Sequence, residues 1–467
     1  MITTQQGKLY KTMILAALVS LVLFFSFQTT VYSSDIPEVR VAISLQQNFL
    51  ELSFDSGYNL VNAEEDVPLA LPGGKYKLSN ANGLIEILDG QGHCLGLYSD
   101  PLYLEPFSEE TSGSSFFSID NACYGQKYRG MLEIFLDGGT LRAINILDPE
   151  SYLKGVLPRE MPPSWGDYGG MEALKAQAVA ARTYALDNMN RQRHDNFHLC
   201  DTQHCQVYAG IGCETENTNR ALDETRGEIL TFNSNIIELF YHATNGGYTE
   251  LPQNVWTSSL PCYAAVPDPF DDPSNPLGLS NFTEHSYARW ETEVPLNALG
   301  FLLADGRTGE NAVERVYVAS VFPSGRVQEL VIRGTEGQTV SLFKEKARTA
   351  LGLKSQLYTV DDEPKSSVWI VSRLYGAEKK EHFSGLKGKC ARDGYNTLRT
   401  LDEGSYVVQG KEAKGSVPYL SLTIKGLGWG HGIGMSQNGA YNRSKAGQVY
   451  EEILSFYYPG TEMEKIY

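Results

Sequence analysis

Apolar and polar positions alternate in short runs from Val39 to about Leu141, and turn-forming residues separate the runs. Val39, Val41 and Ile43 alternate, Gly73 and Gly74 interrupt the chain, and Met131, Glu133 and Phe135 lead into Asp137, Gly138 and Gly139. A period of two broken by Gly and Asp predicts strands joined by hairpins. At Asp148 the pattern changes. Asp148, Pro149 and Glu150 supply an N-cap, a first-turn proline and a first-turn acid, so a short helix is expected through Tyr152 and Leu153 to about Leu157. Pro158, Pro162 and Pro163 are then expected to stop it. A second helix is predicted from about Met171 to about Asn188, because Leu174, Ala178, Ala181 and Ala185 recur at helical spacing as a small-residue seam. On that helix Lys175 and Arg182 share a face, and Tyr184 falls on nearly the opposite side.

Further along, residues 227–241 read as two strands around a turn at Asn233–Asn235, and 313–332 as a strand pair turning at Pro323–Gly325. Residues 359–416 are charged and irregular, which reads as an insertion. A Gly-rich stretch from Gly426 to Gly439 and a helix from Tyr450 to Tyr458 complete the chain. No repeat of solenoid or propeller length is present. The expected fold class is α+β: mixed strands with a long Ala-rich helix, in one interrupted domain. Its parts are 36–147, strand-rich; 148–358, the core; 359–416, the insertion; and 417–467, the Gly-rich motif and helix.

Composition narrows the function. Of 467 residues, 39 are Lys or Arg and 56 Asp or Glu, for a formal charge of −17. That balance argues against a duplex nucleic acid partner, which needs a basic footprint. Lys8 and Lys11, the apolar run Met13–Phe27 and the small polar stretch Val31–Ser34 have the order of a secretory signal peptide. The run is short of the ~20 residues of a spanning helix. Residues 1–33 are therefore expected to be a cleaved signal, with an uncleaved membrane anchor as the alternative, and the rest of the chain to lie outside the cytoplasm.

Outside the cytoplasm thiols tend to pair, but seven cysteines cannot all pair with one another. His194, Cys200, His204 and Cys205 offer two imidazoles and two sulfurs, enough for a closed tetrahedral zinc site, with His198 able to replace His194. A Cys200–Cys205 disulfide with exposed histidines is the other reading. Glu160 lies beyond the expected helix end, between Leu157 and Met161 and ahead of Pro162 and Pro163. An acid among apolar neighbours loses solvation when ionised, which suits it to proton donation near neutral pH, although a Glu beside prolines is more often a solvated loop acid. His431 stands in GWGHGIGMSQ, where every second residue from 428 to 434 is glycine, and Ser436 follows. The glycine spacing fits no nucleotide loop, and there is no G-x-S-x-G elbow.

The run YLKGVLPREMPPSWGDYGGMEALKAQAVAARTYAL from Tyr152 to Leu186 resembles the first signature of the stage II sporulation protein D family, the SpoIID/LytB amidase-enhancer domain. GWGHGIGMSQNGAYNRSKAGQVYEEILSFYYPGTEM resembles its second signature, and CDTQHCQVYAG and FYHATNGGYTE its middle. The resemblance implies peptidoglycan remodelling. One branch of the family consists of membrane-anchored lytic transglycosylases of sporulation that act on peptide-stripped glycan strands, and the other was named for stimulating a cell-wall amidase. Position by position, Glu160 matches the catalytic acid; Lys175, Arg182 and Tyr184 match helix residues of the first signature; and His194, Cys200, His204 and Cys205 match a structural Zn2+ set. The helical phase puts Lys175 and Arg182, more than Tyr184, in one cleft. There they are expected to hold the lactyl carboxylate of muramic acid, with His431 and Ser436 on sugar hydroxyls. The residues Trp165–Gly170, and the region 359–416, depart from the family pattern.

Overall fold

The computed structural model describes residues 37–44, 48–62, 68–107, 115–125, 127–191, 193–256, 258–275, 277, 288–303, 313–361 and 419–467, with strand backbones between 365 and 415. The expected signal or anchor, 1–33, lies outside the described residues, and among those described no helix is long and apolar enough to cross a membrane. The alternating N-terminal third folds into two sheets. One has seven strands in the order Leu199–Cys200, Val39–Ile43, Thr140–Leu147, Met131–Asp137, Leu102–Pro106, Tyr58–Asn62, Leu69–Leu71. The other has six, in the order Lys127–Arg129, Phe116–Ile119, Phe49–Phe54, Gly74–Ala81, Leu84–Asp89, Cys94–Tyr98. Val39, Val41 and Ile43 point inward from the first sheet and Leu50, Leu52 and Phe54 from the second, so a period of two buries one row per strand in a common core.

Aromatic rings carry that core toward the helices. Phe54 stacks on Tyr58 at 4.7 Å, Tyr58 meets Phe117 at 6.1 Å, and Phe117 stacks on Tyr128 at 5.5 Å. Tyr128 then contacts Tyr208, and Tyr208 contacts Tyr152 at 5.1 Å. Seven helices follow among the described residues: α1 (Pro149–Glu160), α2 (Met171–Arg191), α3 (Glu216–Glu224), α4 (Pro252–Val255), α5 (Glu345–Ala350), α6 (Gln437–Lys445) and α7 (Tyr450–Tyr457).

The α+β class is as expected, but α1 runs farther than its prolines suggested. The Asp148 side chain accepts from the Ser151 N–H as N-cap, Pro158 sits inside the last turn, and the helix closes with Met161 N–H donating to the Leu157 carbonyl at 3.1 Å. Pro158 gives up one backbone bond without ending the helix, so Glu160 is the last helical residue and is held by that turn. In α2 the small-residue seam Ala173, Ala176, Ala178, Ala180, Ala181 and Ala185 is fully buried, which lets α1, α3, α6 and α7 pack against this one helix.

The segment 148–358 is divided between two cores. Trp290, Val294, Leu299, Val316, Leu330, Ile332 and Tyr358 form a second hydrophobic cluster, completed by Leu422 and Ile424 from the strand Tyr419–Leu427. The predicted strand pair is present as Val313–Val321 and Val327–Gly334. Within 359–416 the described backbone includes the hairpin Lys365–Leu374 with Ala377–Phe383.

Beyond Leu427 the chain returns to the first core through the alternating glycines. Gly432 and Gly434 have φ of 82° and 67°, and a Cβ would lie 2.2 Å from the Arg326 guanidinium at the first and 2.1 Å from the Phe240 carbonyl at the second. The glycine pattern thus reflects close packing of 428–434 against 240–250. Gly434→Ala combines left-handed strain with a backbone clash, and is expected to lower the urea unfolding free energy by about 2–4 kcal/mol.

Candidate active site

Glu160 projects from the end of α1 to a point where four distant segments meet. It is partly exposed as a residue, but its carboxyl lies inside the fold, with the Val207 N–H and the side chains of Gln437 and Tyr241 as hydrogen-bond partners. Burial raises the carboxyl to about 7 against the lowering effect of those three partners. Tyr241 comes from a short strand, Tyr241–His242, that pairs in parallel with Met435–Ser436, and this pairing brings the start of α6 beside α1. Gln437 also donates through Nε2 to Gln177 Oε1 of α2, at 3.4 Å. Tyr184 sets its ring edge toward Tyr241 at 6.5 Å and interacts electrostatically with Glu160. The residues 163–168 form a 3-10 turn in which Trp165 stacks on Tyr441 of α6 at 4.3 Å, so the extra residues after Glu160 fold back along the helix that carries Gln437.

Other sequence candidates occupy different places. Arg182 is fully buried, donating to Glu150 through Nε at 2.7 Å and Nη2 at 2.9 Å, and to the Glu228 carbonyl through Nη1 at 3.0 Å. Burial would raise Glu150, but Arg182, the Tyr467 hydroxyl and the Gly227 N–H hold it below its ordinary value. Lys175 is paired with Glu224 at 2.8 Å and Glu172 at 2.9 Å, and lies over the Tyr450 ring. The shared face of Lys175 and Arg182 therefore meets α1, α3 and α7 and opens no cleft with Glu160. Of the three residues of α2, it is Tyr184 that faces the acid.

His431 packs on Phe240, His242 and Trp256, and its Nδ1 accepts from the Ile433 N–H at 3.0 Å. Burial, reinforced by Arg348 and Arg326, pushes it down to about 3, so it is neutral near pH 7. Ser436 is the N-cap of α6: its hydroxyl accepts from the Gly439 N–H and donates to Asp271 at 2.6 Å. Fully buried, it holds α6 in place and offers nothing to a ligand. The polar anchors Asp268 and Asp271 were absent from the sequence reading. Asp271 accepts from Thr244 and Ser436, and Asp268 from Asn245, Arg443 and Tyr457, tying the TNGG turn to α6 and α7. Gln177, Gln206, Tyr241 and Gln437 were also missed, although all four lie within the quoted motifs and Gln437 directly follows Ser436.

The Cys/His segment is held on the N-terminal sheet. Leu199–Cys200 pairs in parallel with Val41–Ala42, and buried Asp201 accepts from the Ser44 hydroxyl at 2.6 Å. Cys205 Sγ lies 3.7 Å from His194 Nε2 and 3.4 Å from His204 Nδ1, while Cys200 Sγ is 3.8 Å from His204 Nδ1. Both cysteines are free thiols. With Zn–S of about 2.3 Å and Zn–N of about 2.0 Å, the nitrogen–sulfur edge of a tetrahedron is about 3.5 Å; the donors of His194, His204 and Cys205 lie within 4.8 Å of one another, and Cys200 adjoins this group through His204. His198 is turned away, its Nδ1 accepting from the Arg40 N–H at 3.1 Å.

This arrangement coincides with a recognisable family. A family model described as stage II sporulation protein matches residues 137–232, which include α1, Glu160, α2 and the Cys/His segment. Over those residues the chain is similar to the stage II sporulation protein family, and its similarity to relatives named amidase enhancer and stage II sporulation protein D extends over most of its length. It is similar to the amidase enhancer of Bacillus subtilis (strain 168), 29% identical over an alignment of 458 residues that takes in 93% of this chain. The match spans 57% of that relative's length. It is also similar to stage II sporulation protein D of the same organism, 27% identical over 332 residues, covering 68% of this chain and 74% of the relative. An uncharacterized protein of Brachyspira hyodysenteriae is 27% identical over 340 residues, covering 73% of each chain.

Proposed function

We propose that this protein is a peptidoglycan lytic transglycosylase, with Glu160 as its general acid and base. The observation that carries this reading is a carboxyl held at about 7 by burial, whose partners are an amide N–H, a glutamine and a phenol. Ordinary glycoside hydrolysis needs two carboxylates, the second to act as nucleophile or to activate water. A lytic transglycosylase needs one. Protonated Glu160 donates to the oxygen joining C1 of N-acetylmuramic acid to N-acetylglucosamine, and the C1–O bond breaks. The resulting carboxylate takes the proton of the muramic C6 hydroxyl as that oxygen bonds to C1, leaving a 1,6-anhydro end. Each proton lost by the acid is thereby restored. The substrate class is a glycan strand, peptide-stripped by a partner amidase, met outside the cytoplasm by a secreted or N-terminally anchored protein in sporulation.

Purified protein incubated with peptide-free glycan strands is expected to release anhydro-muramic ends, read by mass spectrometry; their absence would overturn the enzymatic reading. The name of the amidase enhancer relative supports a second reading, a non-catalytic activator that binds a cell-wall amidase. That reading predicts faster amidase turnover with no anhydro ends.

His194, Cys200, His204 and Cys205 would hold a structural Zn2+, on the spacing described above. A metal bound there would close the stretch 194–205 into one unit, and its removal by chelation is expected to lower the stability by about 3 kcal/mol at free zinc on the order of a hundred times Kd. Thermal unfolding with and without chelator checks this, and an unchanged midpoint would count against the metal.

A further inference from the structure

Thr202 lies between Cys200 and His204, and both its carbonyl and its hydroxyl face residues that carry the metal donors. The carbonyl accepts from the Cys205 N–H at 3.1 Å, and the hydroxyl oxygen accepts from the His204 N–H at 3.2 Å. The same hydroxyl lies 3.2 Å from Cys200 Sγ. The preceding residue fixes this turn to the N-terminal sheet: the Asp201 N–H donates to the Ala42 carbonyl at 3.1 Å, its carbonyl accepts from the Tyr208 N–H at 3.2 Å, and its carboxylate accepts from the Ser44 N–H at 3.0 Å. Thr202 thus stands at the fixed root of the turn that carries Cys200, His204 and Cys205.

The direction of the hydroxyl proton follows from these contacts. An amide N–H only donates, so the contact with His204 uses a lone pair of the hydroxyl oxygen and leaves its proton for Cys200. A thiol could also donate, but a sulfur that ligates a metal is a thiolate and only accepts. With the metal bound, the Thr202 O–H therefore points at Cys200 Sγ in a charge-assisted bond, on the side where His204 Nδ1 lies 3.8 Å from that sulfur.

We infer that Thr202 is a positioning residue for the metal: its hydroxyl donates to the Cys200 thiolate and so draws that sulfur into the group formed by His194, His204 and Cys205. This rests on the zinc reading above and adds to it the residue that recruits the fourth donor. Hydrogen bonds from outside the ligand set orient a ligand before the metal arrives, and losing one costs about 10–100-fold in metal affinity.

The test measures Zn2+ affinity of the full chain, by competition with a chromophoric chelator, and the sulfur-to-metal charge-transfer absorption of the Co2+-loaded protein. Thr202→Val keeps the shape and deletes the hydroxyl, and is expected to weaken Zn2+ binding at least about tenfold and to shift the Co2+ absorption. Thr202→Ser keeps the hydroxyl and is expected to stay within about threefold of the native protein. Native affinity in Thr202→Val, or equal weakness in Thr202→Ser, overturns the inference and leaves the zinc reading standing. A native protein that takes up neither ion overturns both. In a Cys200→Ala background the loss from Thr202→Val should largely vanish; an undiminished loss would mean that the hydroxyl acts through the His204 N–H alone, and overturns its assignment to Cys200. If Thr202→Val does not fold, the comparison of Thr202→Ala with Thr202→Ser decides.

Discussion

Glu160→Gln is expected to reduce release of anhydro-muramic ends by at least about a hundredfold and, at the same time, to make the protein more stable above neutral pH. The two effects have one cause. In the unfolded chain this carboxyl ionises near 4.5, whereas the fold keeps it protonated to about 7. Between those values the folded state binds the additional proton, so stability contributed by the neutral carboxyl is complete below 4.5 and is lost as the pH rises to 7. The full loss is up to about 3 kcal/mol, since a pKa unit is ~1.4 kcal/mol. Glutamine does not titrate and escapes that loss. Urea unfolding at pH 5 and pH 8 should therefore show the variant gaining on the native protein with pH, while cleavage by the native protein falls about tenfold per unit above 7 as the acid form disappears. A variant that is inactive but gains nothing at pH 8 would place the carboxyl in water, contrary to the structure.

Arg182→Met is the second large effect, and it falls on folding. Arg182 and Glu150 are both buried, and the bidentate pair is completed by the Tyr467 hydroxyl at 2.6 Å and the Glu228 carbonyl. Removing one member of such a pair strands the other charge inside the protein, which costs about 3–5 kcal/mol. Adding Glu150→Gln to Arg182→Met should recover part of that loss, because no charge is then left unpaired. Denaturant midpoints of the two single variants and the double variant measure the coupling. A ligand-binding arginine would behave otherwise: its loss would raise KM with little change in stability. Lys175, whose ion pairs with Glu172 and Glu224 are partly exposed, should be far less sensitive, at about 1 kcal/mol or less.

The contrast between these residues shows what could be read in the chain before folding. Hairpins and helices were legible because their signals are local: alternation at Val39–Ile43, the Asp148 cap, the alanine seam of α2. Glu160 was legible through its neighbours Leu157 and Met161, one of which is buried as expected at 0% and the other at 1% exposure. That Lys175 and Arg182 share a face was also legible, but what the face meets was not, since Glu150, Glu224 and Glu228 arrive from separate elements. Tyr241 and Gln437 gain their roles when a two-residue parallel pairing brings their segments together. No spacing rule anticipates such a contact. Pro158 misled for a related reason: propensity counts its lost bond, but not the packing of Tyr152, Leu153, Val156 and Leu157 that keeps α1 intact.

Arg326 ties the two cores together. It stands in the turn between the strands Val313–Val321 and Val327–Gly334 of the second core, yet its guanidinium donates to the Tyr248 and Asn245 carbonyls of the first, and it is 1% exposed. The same turn places Ser324 on Glu250. Parting the cores would uncover a cation and a carboxylate together with the carbonyls that depend on them, and would leave an opening beneath Gly432. The two cores are consequently joined by polar groups that cannot part without exposing a buried charge, and Gly432, packed on the Arg326 guanidinium, carries that contact into the stretch that leads to α6 and Gln437, beside the acid.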